Sequence, residues 1–257
     1  MQQCILFHTH LWHERVQSAY GKLKDECPHG SDIVVLYDNT DGMFNPDLLA
    51  PDSAYHLFTL DMLRQTYDMR CCSRAATLYP GNGIIPVFAF ARSHPEYEYV
   101  WRIEHDVRFS GNWIDFFRAF ADTTADLLAT TVYRRAFRPE WNWWGSLKTP
   151  FWLWRKPELI RCFLPLCRLS HHACERLEKA QHQGWRGHEE VFVSTLLHHY
   201  GYTLEDIGGS GEFVRPGNEQ RFYTNTPKKP GLRPGTFVYQ GPCEPLVKPN
   251  TLYHPIK

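Results

Sequence analysis

The amino-acid sequence predicts an α/β protein, a mostly parallel mixed sheet flanked by helices with a less regular C-terminal part. Three observations carry this. The short apolar runs CILFHT and DIVVLYD are bounded by turn residues and read as buried strands. Between them Trp12, Val16, Tyr20, Leu23 and Cys27 recur at steps of three or four, one face of a helix, and strand, helix, strand at this spacing makes a parallel crossover unit. The alternation then continues through EYEYVWRIEHDV, WIDFFRAF and LLATTV, which extends the same sheet.

Taken in order, the first helix is ended by Pro28, His29 and Gly30, and the second strand by the polar loop NTDGMFNPD. After the apolar segment YHLFTL, a helix is predicted from Gly83 to about Arg92, turning Ile85, Phe88 and Ala89 inward and closed by Pro95. In the next strand Tyr99, Trp101 and Ile103 alternate with Val100 and Arg102 before two carboxylates, and a helix follows from Asn112 to Ala121. The second half holds the aromatic run WNWWGSLKTPFWLW, where the alternation of Trp152 and Trp154 predicts a strand with both indoles on one core-facing side. Helices are then expected from Pro157, around Cys167 to Gln181, and from His188 to Tyr200 with Gly201 as the stop. From Gly208 onward the Gly, Pro and Asn content predicts a long loop.

The chain has 257 residues with 28 basic and 28 acidic side chains, so no global field recruits nucleic acid or an anionic surface. With 43% hydrophobic and 22% charged residues it has ordinary globular composition, and a single domain over 1–257 is expected. The uncharged stretch Ala75 to Ala91 is broken by Pro80, Gly81, Gly83 and Pro86 and cannot span a bilayer, and the N-terminal run lacks a basic leader. Eight scattered cysteines in a chain of this size read as reduced thiols, which points to a cytoplasmic protein. Cys162, Cys167 and Cys174 with His171 and His172 match no common zinc spacing, and buried cysteines on helix faces are expected instead.

In open α/β sheets ligands bind beyond the carboxyl ends of the strands. Asp38 stands at one such end, and Glu104 with Asp106 at another, so a shared crevice is expected. Two residues apart on a strand, the last two carboxylates would face the same way and could hold one hard cation with phosphate oxygens and water. The alternative is a strand-end turn whose acids are simply solvated.

The segment YPGNGIIPVFAFARSHPEYEYVWRIEHDVRFSGNW resembles the centre of GT-A-fold glycosyltransferases, in particular a group carrying W-x-x-E-x-D-V-R-x-x-G-x-W; here these are Trp101, Glu104, Asp106, Val107, Arg108, Gly111 and Trp113. The resemblance implies a GT-A-like, Rossmann-like fold in which Asp106 first and Glu104 second bind Mn²⁺ or Mg²⁺ with the diphosphate of a nucleotide-sugar donor. It gives Asp38, with Asp41 as a nearby substitute, to the nucleoside. LYHPIK is similar to the segment that supplies a late histidine to the metal, which nominates His254; an imidazole among oxygen ligands favours Mn²⁺. The same resemblance divides the chain into a nucleotide-sugar-binding half, 1–132, and an acceptor-binding half with a C-terminal lid and metal segment, 133–257.

GWRGHEEVFVSTLL places Glu189 and Glu190 in the first turn of a helix, where the resemblance aligns Glu190, with Glu189 in reserve, with the base that deprotonates the acceptor hydroxyl in inverting enzymes. The helix dipole alone also favours acids there. Trp141, Trp143 and Trp144 offer indole faces for a carbohydrate or glycan acceptor, and Lys228, Lys229 and Arg233 could close over the leaving diphosphate. The expected activity is a metal-dependent glycosyltransferase using a nucleotide-sugar. The alternatives are a sugar nucleotidyltransferase, against which HTHLWHER has no glycine-rich phosphate loop, and a non-catalytic carbohydrate-binding protein on the same scaffold.

Overall fold

Strands that are apolar at every position must be covered on both faces. β1 (Gln3–Thr9) and β2 (Asp32–Asp38) meet this condition by alternation: Cys4, Leu6, Val34 and Leu36 enter one core, and Ile5, Phe7, Val35 and Tyr37 the other. The computed structural model describes residues 2–67, 81–239 and 247–257; Cys71, Cys72, Cys243 and the Tyr79-Pro80 pair lie outside them. α1 (Glu14–Asp25) crosses between β1 and β2 with Val16, Tyr20 and Leu23 buried. β3 (Ala54–Phe58) follows, then α2 (Leu60–Thr66), capped by the Thr59 hydroxyl, and α3 (Ile85–Ser93), buried from Ile85 to Ala91 except at Ala89, which is only partly buried, and exposed at Arg92 and Ser93.

β4 (Tyr99–Glu104) runs parallel to β1 in the middle of the sheet. After the two-residue β5 (Arg108–Phe109), α4 (Trp113–Arg118) is capped by Asn112, and β6 (Leu127–Arg134) spans the boundary expected between the halves. The remaining elements are β7 (Ile160–Ser170), α5 (His171–His182), α6 (Glu189–His199), β8 (Leu204–Asp206) and β9 (Leu252–Tyr253). Seven strands form one sheet in the order β3-β2-β1-β4-β7-β6-β8. All neighbours are parallel except β7, which lies antiparallel between β4 and β6. β5 and β9 pair separately, antiparallel. The α/β expectation therefore holds, with the sheet mostly parallel and mixed at one strand.

The second half departs from expectation at four places. No helix starts at Pro157: the segment is β7, all eleven residues of which are buried, and Cys167 lies in it. The next helix starts at His171, because the Ser170 hydroxyl accepts from Ala173 N and fixes the first turn. Trp152 and Trp154 are not a core strand, since the segment is irregular and both indoles are exposed. From Gly208 the chain is irregular, as expected, yet Phe222, Tyr223, Leu232, Phe237 and Val238 are buried against α4 and the sheet, so it is a packed cover. Among the described residues Cys4, Cys162, Cys167 and Cys174 are buried thiols, no disulfide occurs, and no helix is long and apolar enough to cross a membrane.

Candidate active site

The carboxyl end of β4 opens into a cavity of about 1110 Å³. β4 stops at Glu104, and a turn closed by Val107 N donating to Glu104 O brings Asp106 back beside it. The two acids converge through this turn, not through strand alternation. His254 arrives from the C-terminal segment, positioned by its amide donating to Thr236 O and by Ile256 N donating to Asp106 O. Its Nδ1 donates to Val238 O at 2.6 Å, which leaves Nε2 facing the acids, 3.5 Å from Asp106 Oδ1 and 3.7 Å from Glu104 Oε2.

One ligand atom from each of Glu104, Asp106 and His254 lies within 4.8 Å of the others, and this is the one such group of three among the described residues. Asp106 Oδ1 is buried without a hydrogen-bond partner. Two carboxylates and an imidazole whose second nitrogen is fixed by a carbonyl form a donor set suited to Mn²⁺, and the buried Asp106 Oδ1 has lone pairs that no hydrogen bond occupies. Burial disfavours the cationic form of His254, but Glu104 and Asp106 outweigh it and raise its pKa above the ordinary histidine value.

Arg102 organises this end of the strand. It is 0% exposed, and its Nη2 donates to Glu104 Oε1 at 2.5 Å and its Nε to His8 Nδ1 at 3.1 Å. Its Nη1 donates to Leu164 O and stands 3.6 Å from Glu189 Oε2. Burial would raise the Glu104 pKa, but Arg102 and then His254 reverse this and hold the carboxyl well below the usual range. Burial and the adjacent guanidinium keep His8 neutral, as an acceptor must be. Gly83 makes the arrangement possible: a Cβ there would lie 2.6 Å from Arg102 Nη2 and 3.2 Å from Glu189 Oε1.

Glu189 and Glu190 open α6 on another wall of the same cavity. His188 Nδ1 accepts from Glu190 N and caps the helix, and burial depresses the His188 pKa to about 4, so the acceptor role persists at neutral pH. Burial raises both glutamate pKa values, offset in part by Arg102 at Glu189 and by Arg161 at Glu190. Arg161 Nε and Nη2 both lie 2.9 Å from Glu190 Oε2, and Nη1 donates to Tyr133 Oη at 2.8 Å. Trp141 packs on Arg161, with the guanidinium carbon 4.3 Å from the ring centroid.

Of the aromatic candidates, Trp141 and Trp143 line the cavity, and Trp143 stacks on His188 at 4.6 Å. Trp144 is buried with its Nε1 donating to Arg138 O and does not reach it. Asp38 and Asp41 also lie outside the lining: Asp38 Oδ1 accepts from Thr40 N, and Asp41 Oδ1 from Met43 N. Lys228, Lys229 and Arg233 are exposed and outside it as well; Lys228 sits over Phe137, and Lys229 O accepts from Arg138. Cys162, Cys167 and Cys174 form no metal group with His171 and His172.

Residues 53–138 match a family model described as a protein of unknown function, DUF3405. No curated protein matches the sequence. Among solved structures, the chain is similar to mouse xyloside xylosyltransferase 1 in its apo form, at 12% identity and a TM-score of 0.44, covering 80% of this chain and 84% of that one. It is also similar to a mannosyltransferase from Pyrobaculum calidifontis in complex with GDP-Man and Mn²⁺, at 14% identity and 0.46, covering 85% of this chain and 55% of that one. A 4-diphosphocytidyl-2C-methyl-D-erythritol synthase from Anaerococcus prevotii matches at 9% and 0.47, covering 83% and 91%.

Sequence reasoning missed Arg102, Arg161 and His8. A signal existed for the first: an arginine in the middle of a strand otherwise apolar on both sides must be buried, and a buried guanidinium needs carboxylate partners. Arg161 carried no such signal, because its segment was assigned to a helix.

Proposed function

We propose that the protein is a metal-dependent glycosyltransferase that moves a sugar from a nucleotide-sugar to an acceptor hydroxyl. The observation that carries this reading is the pairing, in one cavity, of a buried carboxylate-carboxylate-imidazole set at a strand end with a second acidic pair at a helix start. Glu104, Asp106 and His254 would hold Mn²⁺ or Mg²⁺, which when bound supplies positive charge to the oxygens of a departing diphosphate. Arg102 fixes the Glu104 carboxylate for this task, and Arg15 and Arg108, which line the cavity too, add positive charge.

On the facing wall, Glu190 accepts the proton of the acceptor hydroxyl as that oxygen bonds to the anomeric carbon and the bond from that carbon to the diphosphate oxygen breaks. Arg161 holds the Glu190 carboxylate in place, and Glu189 is the second candidate for the same role. Trp143, half-exposed against His188, offers its indole to a sugar ring of the acceptor. Holding donor and acceptor together supplies much of the remaining rate.

The test is a thermal-shift screen of nucleoside diphosphates and nucleotide-sugars with Mn²⁺ and with chelator. A ligand at a hundred times its dissociation constant stabilises by about 2.7 kcal/mol. Stabilisation that requires nucleotide and metal together is expected; a nucleotide that stabilises equally in chelator overturns the metal-held diphosphate.

A further inference from the structure

The segment 148–156, KTPFWLWRK, is not used by the proposed reaction and departs from what a soluble surface normally shows. Phe151 and Trp154 are fully exposed and Trp152 is 43% exposed, three large aromatics within four residues. The base of the loop is fixed. Lys148 and Arg186 exchange backbone hydrogen bonds of 2.7 and 3.0 Å, Ser146 Oγ accepts from His188 N, and Leu153 packs against the core. The tip therefore projects from an anchored frame.

The charges within the segment have one sign. Lys148, Arg155 and Lys156 flank the aromatics and are exposed, and no acidic residue occurs from 141 to 157. The nearest acid beyond, Glu158, is taken up by Arg134 and His198. Protein-protein interfaces enrich aromatics but deplete lysine, whereas aromatics combined with lysine and arginine mark segments that lie at a membrane-water boundary. We propose that this loop docks the protein on an anionic lipid bilayer, with Phe151, Trp152 and Trp154 entering the headgroup region and Lys148, Arg155 and Lys156 meeting lipid phosphates and carboxylates.

The protein's zero net charge does not oppose this, because the field that acts within a Debye length of the surface is that of the loop. One aromatic tip with three cations gives reversible docking, not anchoring. Since the loop is tied to the residues just before α6, docking brings the cavity wall that carries Glu189 and Glu190 to the bilayer side. The inference rests on the loop alone and stands or falls separately from the activity proposed for the cavity.

The experiment is co-sedimentation of the protein with vesicles of mixed phosphatidylserine and phosphatidylcholine, compared with phosphatidylcholine alone, at low and high salt. Binding to the anionic vesicles that weakens with salt is expected. Replacing Phe151→Ser with Trp154→Ser should reduce it more than tenfold. Replacing Lys148→Gln, Arg155→Gln and Lys156→Gln together should reduce it about a hundredfold, at about 1 kcal/mol per cation. Both variants alter exposed side chains and should keep the parental melting temperature and nucleotide response. Absence of binding, or binding that either variant leaves unchanged, overturns the proposal. So does a dimer, seen by sedimentation velocity, that the Phe151→Ser/Trp154→Ser variant dissociates, because the surface then belongs to a second copy of the chain.

Discussion

Replacing Arg102 with methionine removes a side chain that contacts Glu104 of one acidic group and Glu189 of the other. The guanidinium is wholly buried, so its loss leaves the Glu104 carboxylate, itself mostly buried, without its 2.5 Å partner. Breaking a buried ion pair from one side destabilises by about 3–5 kcal/mol. At about 2–4 °C per kcal/mol for a domain of this size, the melting temperature should fall by about 6–20 °C. The double variant Arg102→Met/Glu104→Gln removes the Glu104 charge as well, leaving the longer 3.6 Å contact to Glu189 unmatched, and should recover part of the loss. The acid limb supplies a second readout. Because the Glu104 pKa is depressed in the fold, its contribution is present above the ordinary glutamate range and is lost as pH falls through the folded value, so the single variant should lose less stability on acidification than the parent. Differential scanning calorimetry across pH measures both. A single-variant shift under about 2 °C, or a double variant no better than the single, would refute the view that this pair is charged and holds the strand end.

Asp106→Ala should abolish metal-dependent nucleotide binding in calorimetry while leaving the melting temperature equal or higher, because its Oδ1 makes no hydrogen bond in the fold. Mn²⁺ affinity should climb with pH by up to about tenfold per unit below the His254 pKa, since the cation must displace the proton that Glu104 and Asp106 hold there; His254→Ala should weaken and flatten that profile, and a profile that stays as steep in the variant removes His254 from the site. Glu190→Gln should keep donor affinity and lower kcat by about a hundredfold or more; the same loss in Glu189→Gln instead moves the base by one residue, and loss in neither removes both.

The first half of the fold was legible because its strands and helices differ in period. Val16, Tyr20 and Leu23 mark a helix face, while IVVLY is a short branched run between turn residues. β7 was illegible for a physical reason: buried on both faces, IRCFLPLCRLS shows neither period, and Pro165 argues against a central strand. The proline is accommodated where β6 and β7 slip register between Leu128 and Thr130. The arginines near its ends are satisfied locally, Arg161 by an ion pair with Glu190 and Arg168 by donating to the carbonyls of Phe120, Thr123 and Ala125. At the site, the acidic positions could be read from strand ends and a helix start, but His254 depended on resemblance, since nothing in LYHPIK says which distant turn it meets. The exposure of Trp152 and Trp154 was hidden by an alternation that a turn imitates.

His254 reaches the two acids from outside the main sheet. β9 and β5 are two residues each, joined at Arg108 with Tyr253 and Phe109 with Leu252, whereas Glu104 ends a central strand of a seven-stranded sheet. The C-terminal segment is also held beyond these two pairs, since residues 251–255 are buried, Leu252 N donates to Phe222 O, Val238 N to His254 O and Ile256 N to Asp106 O. Anything that bridged Asp106 and His254 would therefore cross-link the last residues of the chain to the end of the central sheet, and the segment could not peel away without breaking that link.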